Sequence, residues 1–306
     1  MATETDLPPP AGGGAPGSGG SAPAASASAA VAPLAPATRR AARRPGRVRL
    51  QSLRKLIVPV AVVVIWQIAS SMHFVDSRFL PAPTTVLDAW GVWIFGERSP
   101  LAWYSGTWAE YVYLSTRRVL EGFACAAAVG VFLGVLIGWS RLVSDLVDPL
   151  VQLVRPIPMT AWLPFATLLF GIQDTAAVFL IAMGAFFPIV VNATAGAQRT
   201  PRILLRAALM LGTPPRKLLY RVVLPAALPS IFTGLRLGMG IAWVLVIVSE
   251  MLAVKGGLGY SLWTAYQFQR MDLIIASMLS VGGLGYLFDR LLVAIAGRAL
   301  RWAQGQ

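Results

Sequence analysis

Outside its basic segments, this chain is poor in side chains that ionise, ligate or attack. It has one histidine, His73, and one cysteine, Cys125. A lone histidine cannot assemble a metal cluster, and a lone cysteine offers no disulfide and no thiolate metal site within one chain. No Ser–His–Asp arrangement is visible, so no catalytic and no metal-ligating residue is expected. The polar groups that remain stand inside long apolar stretches: Asn192, Arg236, Ser249, Glu250 and the pair Asp289–Arg290. Such groups are expensive in a membrane and are candidates for a solute path by default. Each also has a plainer reading. Asn192 can hydrogen-bond a neighbouring helix, Arg236 can reach back to the membrane surface or pair within the bundle, and Glu250 can pair with a cation or be an interfacial carboxylate touching water. Asp289 and Arg290 are read as satisfying each other, and Cys125 as buried packing.

These residues belong to a chain built for a bilayer. Of its 306 residues 56% are hydrophobic and 13% charged, with a mean hydropathy of +0.66. Soluble domains carry about a quarter charged residues. The apolar residues come in blocks of about 18–25, long enough to cross a hydrocarbon core. The net charge of +13 would suggest nucleic acid in a soluble protein. Here the Lys and Arg lie between the apolar blocks, so topology explains them and no nucleic-acid partner is expected.

Residues 1–50 are Ala, Gly, Pro and Ser followed by arginines, and are read as a disordered, basic cytoplasmic tail. A first span covers 56–74, and 75–116 is read as an outside, periplasmic segment rich in Trp and Tyr. Five further spans fall at about 118–139, 146–170, 176–197, 229–252 and 273–296, within a transmembrane domain of 117–297. A cytoplasmic tail, 298–306, follows. Six spans put both termini inside. The pair Arg117–Arg118 runs against the charge rule, falling at the outer end of its span. Gly130, Gly134 and Gly138 recur every four residues in the second span, a spacing that lets another helix approach closely. The third span carries Pro156, Pro158 and Pro164 as breaks.

Between the fourth and fifth spans lies RAALMLGTPPRKLLYRVVLP, residues 206–225. No Asp or Glu occurs between Asp174 and Glu250, and the loop holds six basic residues from Arg199 to Arg221. Thr200–Pro201 reads as a cap and first helical residue. Gly212 suits the left-handed position after that helix. Thr213–Pro214 starts a second helix, ending by Pro225. The result is a rigid basic knob under the membrane, suited either to docking into a cytosolic partner or to lying on anionic lipid.

The spacing of Ala207–Ala208, Gly212, Val222, Leu224 and Pro225 resembles the EAA loop of permease subunits of binding-protein-dependent ABC importers, with Arg206 at the family's Glu position. RPIPMTAWLPFATLLFGIQDTAAVFLIAMGAFFPIVVNATAGAQ and LPAALPSIFTGLRLGMGIAWVLVIVSEMLAVKGGLGY are similar to the sulfonate, taurine and nitrate branch. The resemblance covers roughly residues 110–297. It implies an all-α membrane protein of about six transmembrane helices, with the type I importer permease fold. The loop would be a coupling helix seated in a cleft of a cytosolic ABC ATPase. A periplasmic or lipid-anchored binding protein would deliver a small solute, and two identical permeases would pair as a homodimer. The chain has no G-x-x-x-x-G-K-[ST] segment, so ATP and Mg would be held by the ATPase and no cofactor by this chain. A secondary transporter or channel is the alternative. It gives no reason for the loop's spacing, and no convincing internal repeat is seen.

Overall fold

The computed structural model describes residues 46–72, 76, 79–98 and 103–300. The reading of residues 1–45 as a tail, His73 and residues 301–306 lie outside it. Every regular element among the described residues is helical. Contact clustering separates residues 1–52 from a compact unit, 53–306.

The helices are α1 (Gly46–Ser71), α2 (Pro83–Phe95), α3 (Trp108–Trp139), α4 (Arg141–Val154), α5 (Trp162–Phe170), α6 (Asp174–Gln198), α7 (Arg202–Met210), α8 (Pro215–Leu218), α9 (Leu224–Leu252), α10 (Leu258–Gln267) and α11 (Met271–Ala299). Four are long and apolar enough to cross a membrane: α3, α6, α9 with its lead-in, and α11. The α4–α5 pair, bent by 82°, makes a fifth if it is one broken span. The expected first span, 56–74, falls on α1, whose described apolar stretch is Ile57–Ser71. Four or five spans and this helix accord with the expected number of about six.

The core is a sandwich centred on α6. Lipid tails are as apolar as Leu, so helices in a bilayer associate by close packing more than by hydrophobic expulsion. Gly130, Gly134 and Gly138 of α3 show how. A Cβ on Gly130 would stand 3.0 Å from Ile189, one on Gly134 2.6 Å from the Val190 carbonyl, and one on Gly138 2.8 Å from the Thr194 carbonyl. On the opposite side of α6, Gly234 and Gly238 of α9 approach the Pro188 and Ala185 carbonyls in the same way. Leu180, Ile181, Ala185 and Ile189 are fully buried between the two neighbours.

Pro156 and Pro158 fall at the break of the bent pair, while Pro164 sits in the first turn of α5, where no backbone donor is required. Within residues 75–116 lie α2, whose buried Trp93 donates from Nε1 to Thr107 Oγ1 at 3.2 Å, and the first turns of α3, which begins at Trp108. α10, between the last two spans, has no counterpart in the sequence reading. Cys125 is exposed on α3, against the expectation of burial.

Candidate functional site

The basic loop is built from α7, α8 and the start of α9. α7 ends in a paired cap: the Gly212 N–H donates to Leu209 O at 2.9 Å and the Thr213 N–H to Ala208 O at 3.1 Å. That closure needs a left-handed residue, and Gly212 has φ +76°. Both helix starts fall one residue later than the Thr-Pro pairs suggest. Pro201 and Pro214 occupy the capping positions, with extended ψ of 125° and 149°. Pro214 is held extended because Pro215 follows it. Thr200 does not cap, and its hydroxyl is buried with no partner among the described residues.

The second correction is larger. The helix does not stop at Pro225. One π-helical turn, Leu219–Val223, joins α8 to α9, with the Leu224 N–H donating to Leu219 O, so Leu219–Leu252 is one 34-residue helix. The wider turn relieves the clash between the Pro225 ring and the preceding turn that would end an α-helix. Ala207, Ala208, Val222 and Pro225 then line one open groove of about 390 Å³ with Leu204, Leu211, Arg221 and Ala226. Leu224 is half-buried beside them, and Arg206 is exposed. At the tip, Met210 and Leu211 are 87% and 86% exposed.

At the other end of the bundle Glu250 does pair with a cation, in a buried ion network whose members the sequence reading did not name. Arg118 of α3 is 2% exposed and Glu250 of α9 is 0% exposed. Arg118 Nη1 donates to Glu250 Oε1 and to Gly256 O, both at 2.7 Å. Its Nε and Nη2 reach Asp174 Oδ1, at the start of α6, at 3.0 and 2.7 Å. Ser115 Oγ donates to Glu250, and the Gly259 N–H donates to Glu250 Oε2 at 2.8 Å. Glu250 is therefore not an interfacial carboxylate touching water. It is enclosed, and its neighbour Ser249 turns its hydroxyl onto Val246 O. A signal was present: the charge-rule exception Arg117–Arg118, Asp174 and Glu250 all fall at the ends of their spans away from the basic loop.

Arg236 takes one of its plainer readings and pairs within the bundle. It forms a two-pronged pair with Asp289 of α11, Nε–Oδ1 2.8 Å and Nη2–Oδ2 2.9 Å. Arg290 bonds the Tyr286 hydroxyl, so Asp289 and Arg290 do not satisfy each other. Asn192 donates from Nδ2 to Pro188 O at 2.8 Å, and its Cβ faces Gly234 across the α6–α9 contact. The expected path residues thus separate. Ser249 and Glu250 are enclosed, Arg236 is paired, and Asn192 alone lines a cavity, of about 410 Å³. No group of three or more metal-ligating side chains occurs among the described residues.

Comparison with known proteins gives a consistent result. The model of a family described as the inner membrane component of binding-protein-dependent transport systems matches residues 129–301. A Methanocaldococcus jannaschii protein assigned by name to the ABC transporter permeases is 39% identical over 81% of this chain and 91% of its own. The nitrate import permease of a Synechocystis species is 35% identical, over 78% of this chain and 86% of its own. The taurine transport permease of Escherichia coli is 30% identical, over 79% and 86%.

Proposed function

Because the chain belongs to the family of inner membrane components of binding-protein-dependent transport systems, we propose that residues 206–225 are the site through which it is driven. The chain is a multi-pass membrane permease subunit of an ABC importer, with the type I importer permease fold. The observation that carries the coupling role is the loop's construction. A capped helix exposes Met210 and Leu211 at its tip, and it is followed by a single helix running from Leu219 across the membrane. Exposed apolar residues in a basic setting mark a docking surface. A push on that surface is carried into a spanning helix with no flexible joint after the π turn.

In this reading a cytosolic ABC ATPase receives the loop, with ATP and Mg held there and the chain itself not an enzyme. A binding protein delivers solute on the opposite face, and two copies of the chain pair around the path. Both termini lie in the cytoplasm, as the basic loop requires. The solute is a small anion or a solute with an anionic group, by analogy with relatives named for nitrate and taurine. ATP does its work by favouring one opening of the path over the other, which requires that it bind the two states unequally. Ala207→Glu and Gly212→Pro should insert in the membrane normally yet lose co-purification with the ATPase and lose uptake. Uptake at the unmodified rate in either variant would remove the coupling role.

A further inference from the structure

We propose that the elbow between α4 and α5 holds a binding site for a small oxyanion, with Arg155 as its cation; this deepens the importer reading above and rests on it. The elbow, residues 155–158, is broken backbone between the two arms of the bent pair α4–α5, and Pro156 and Pro158 bring no N–H to it. Irregular backbone at membrane depth persists only where protein buries it or a water-filled cavity meets it. A cavity is present: the chamber of about 410 Å³ is lined by Arg155 and Pro158 of the elbow, Phe187 and Asn192 of α6, and Leu237 and Ile241 of α9. Of all its lining residues, Arg155 and Asn192 alone have polar side chains.

Arg155 differs from Arg118 and Arg236, which each hold a carboxylate. The Arg155 side chain makes no hydrogen bond or ion pair with the described residues, and it is exposed. Asn192 gives one amide hydrogen to Pro188 O, which leaves its second hydrogen for a ligand. Arg155 also lines a neighbouring chamber of about 200 Å³ with Gln152, Thr194, Gln198 and one acid, Asp148. It therefore stands where a largely apolar chamber meets a polar one. A guanidinium matches trigonal or tetrahedral oxyanions with parallel donors. In a chamber with low-dielectric walls its attraction is strengthened. The solute class is a nitrate-like ion or a solute with one sulfonate- or carbonate-like head.

The test reads the potential of the chamber, using the permease assembled with its ATPase. In a Cys125→Ala background, Leu237→Cys places a thiol on the chamber wall. Its reaction rates with a sulfonate-bearing and a trimethylammonium-bearing methanethiosulfonate are compared with those of a free thiol in solution. The anionic-to-cationic ratio should exceed the free-thiol ratio by about tenfold or more. Arg155→Gln should abolish that excess and Arg155→Lys should retain it. A ratio at the free-thiol value with Arg155 intact overturns the site, and this needs no folded Arg155 variant. An excess that persists in Arg155→Gln overturns the role of Arg155. ATP-driven uptake of nitrate and of taurine by the unmodified assembly tests the importer reading separately, because the thiol ratio does not depend on turnover.

Discussion

Replacing Arg118 by Met tests whether the buried network holds the ends of α3, α6 and α9 together. The guanidinium is 2% exposed and contacts Glu250, Asp174 and the Gly256 carbonyl. Its loss leaves the Glu250 carboxylate, at 0% exposure, with the Ser115 hydroxyl and the Gly259 N–H as its donors. Truncating one partner of a buried ion pair costs about 3–5 kcal/mol, because the other charge stays buried without its partner. Glu250→Gln is milder. It keeps the shape and leaves Arg118 on Asp174, which is 37% exposed, so about 1.5–3 kcal/mol is expected for the weakened charge-assisted bond. The double variant should cost less than the sum, with a coupling of about 1–3 kcal/mol. Reversible unfolding of the detergent-solubilised chain in a denaturing surfactant gives all four corners of the cycle. For a unit of this size the Arg118→Met Tm should fall by about 6–20 °C. Costs that add to within about 0.5 kcal/mol would show the residues to be energetically independent and the network reasoning wrong.

Other outcomes follow from the packing and the loop. Gly134→Leu should destabilise by about 1–3 kcal/mol, read by the same unfolding assay, because a side chain there meets the Val190 carbonyl and Ala193 on α6. Gly240→Leu, where a Cβ meets nothing within 4 Å, should be nearly silent. Arg236→Asp should impair assembly or uptake, and adding Asp289→Arg should restore much of it, since the two side chains meet end to end. Gly212→Ala should cost about 1–2 kcal/mol in loop stability, read by hydrogen exchange of the Thr213 amide. Its Cβ has open space, so the penalty is the left-handed backbone alone.

The parts legible in the sequence were those set by short-range rules. Apolar block length located the long spans, and glycine spacing on α3 pointed to a close helix contact. Gly212 announced its own backbone. The errors arose where one element depends on another. A proline stops a helix in isolation, but at Pro225 a π turn absorbs the conflict, and nothing in the local sequence distinguishes the two outcomes. The Thr-Pro starts slipped by one residue because proline itself took the capping conformation. The burial of Glu250 was not legible because its side-chain partners, Ser115 and Arg118, lie on α3, far away in sequence. Pairing Asp289 with Arg290 followed adjacency. Helix geometry points consecutive residues about 100° apart, and Arg236 of α9 was the nearer partner.

The π turn at Leu219–Val223 has one more consequence. It carries an extra residue relative to regular α-helical winding, and each residue of a helix corresponds to about 100° of rotation. It therefore sets the angular phase between the docking knob and the spanning rod. Deleting a single residue there would leave the helix continuous and the sequence on either side intact. It would nevertheless turn the knob by roughly a quarter circle about the rod's axis, presenting a different side of α7 to any partner that meets it.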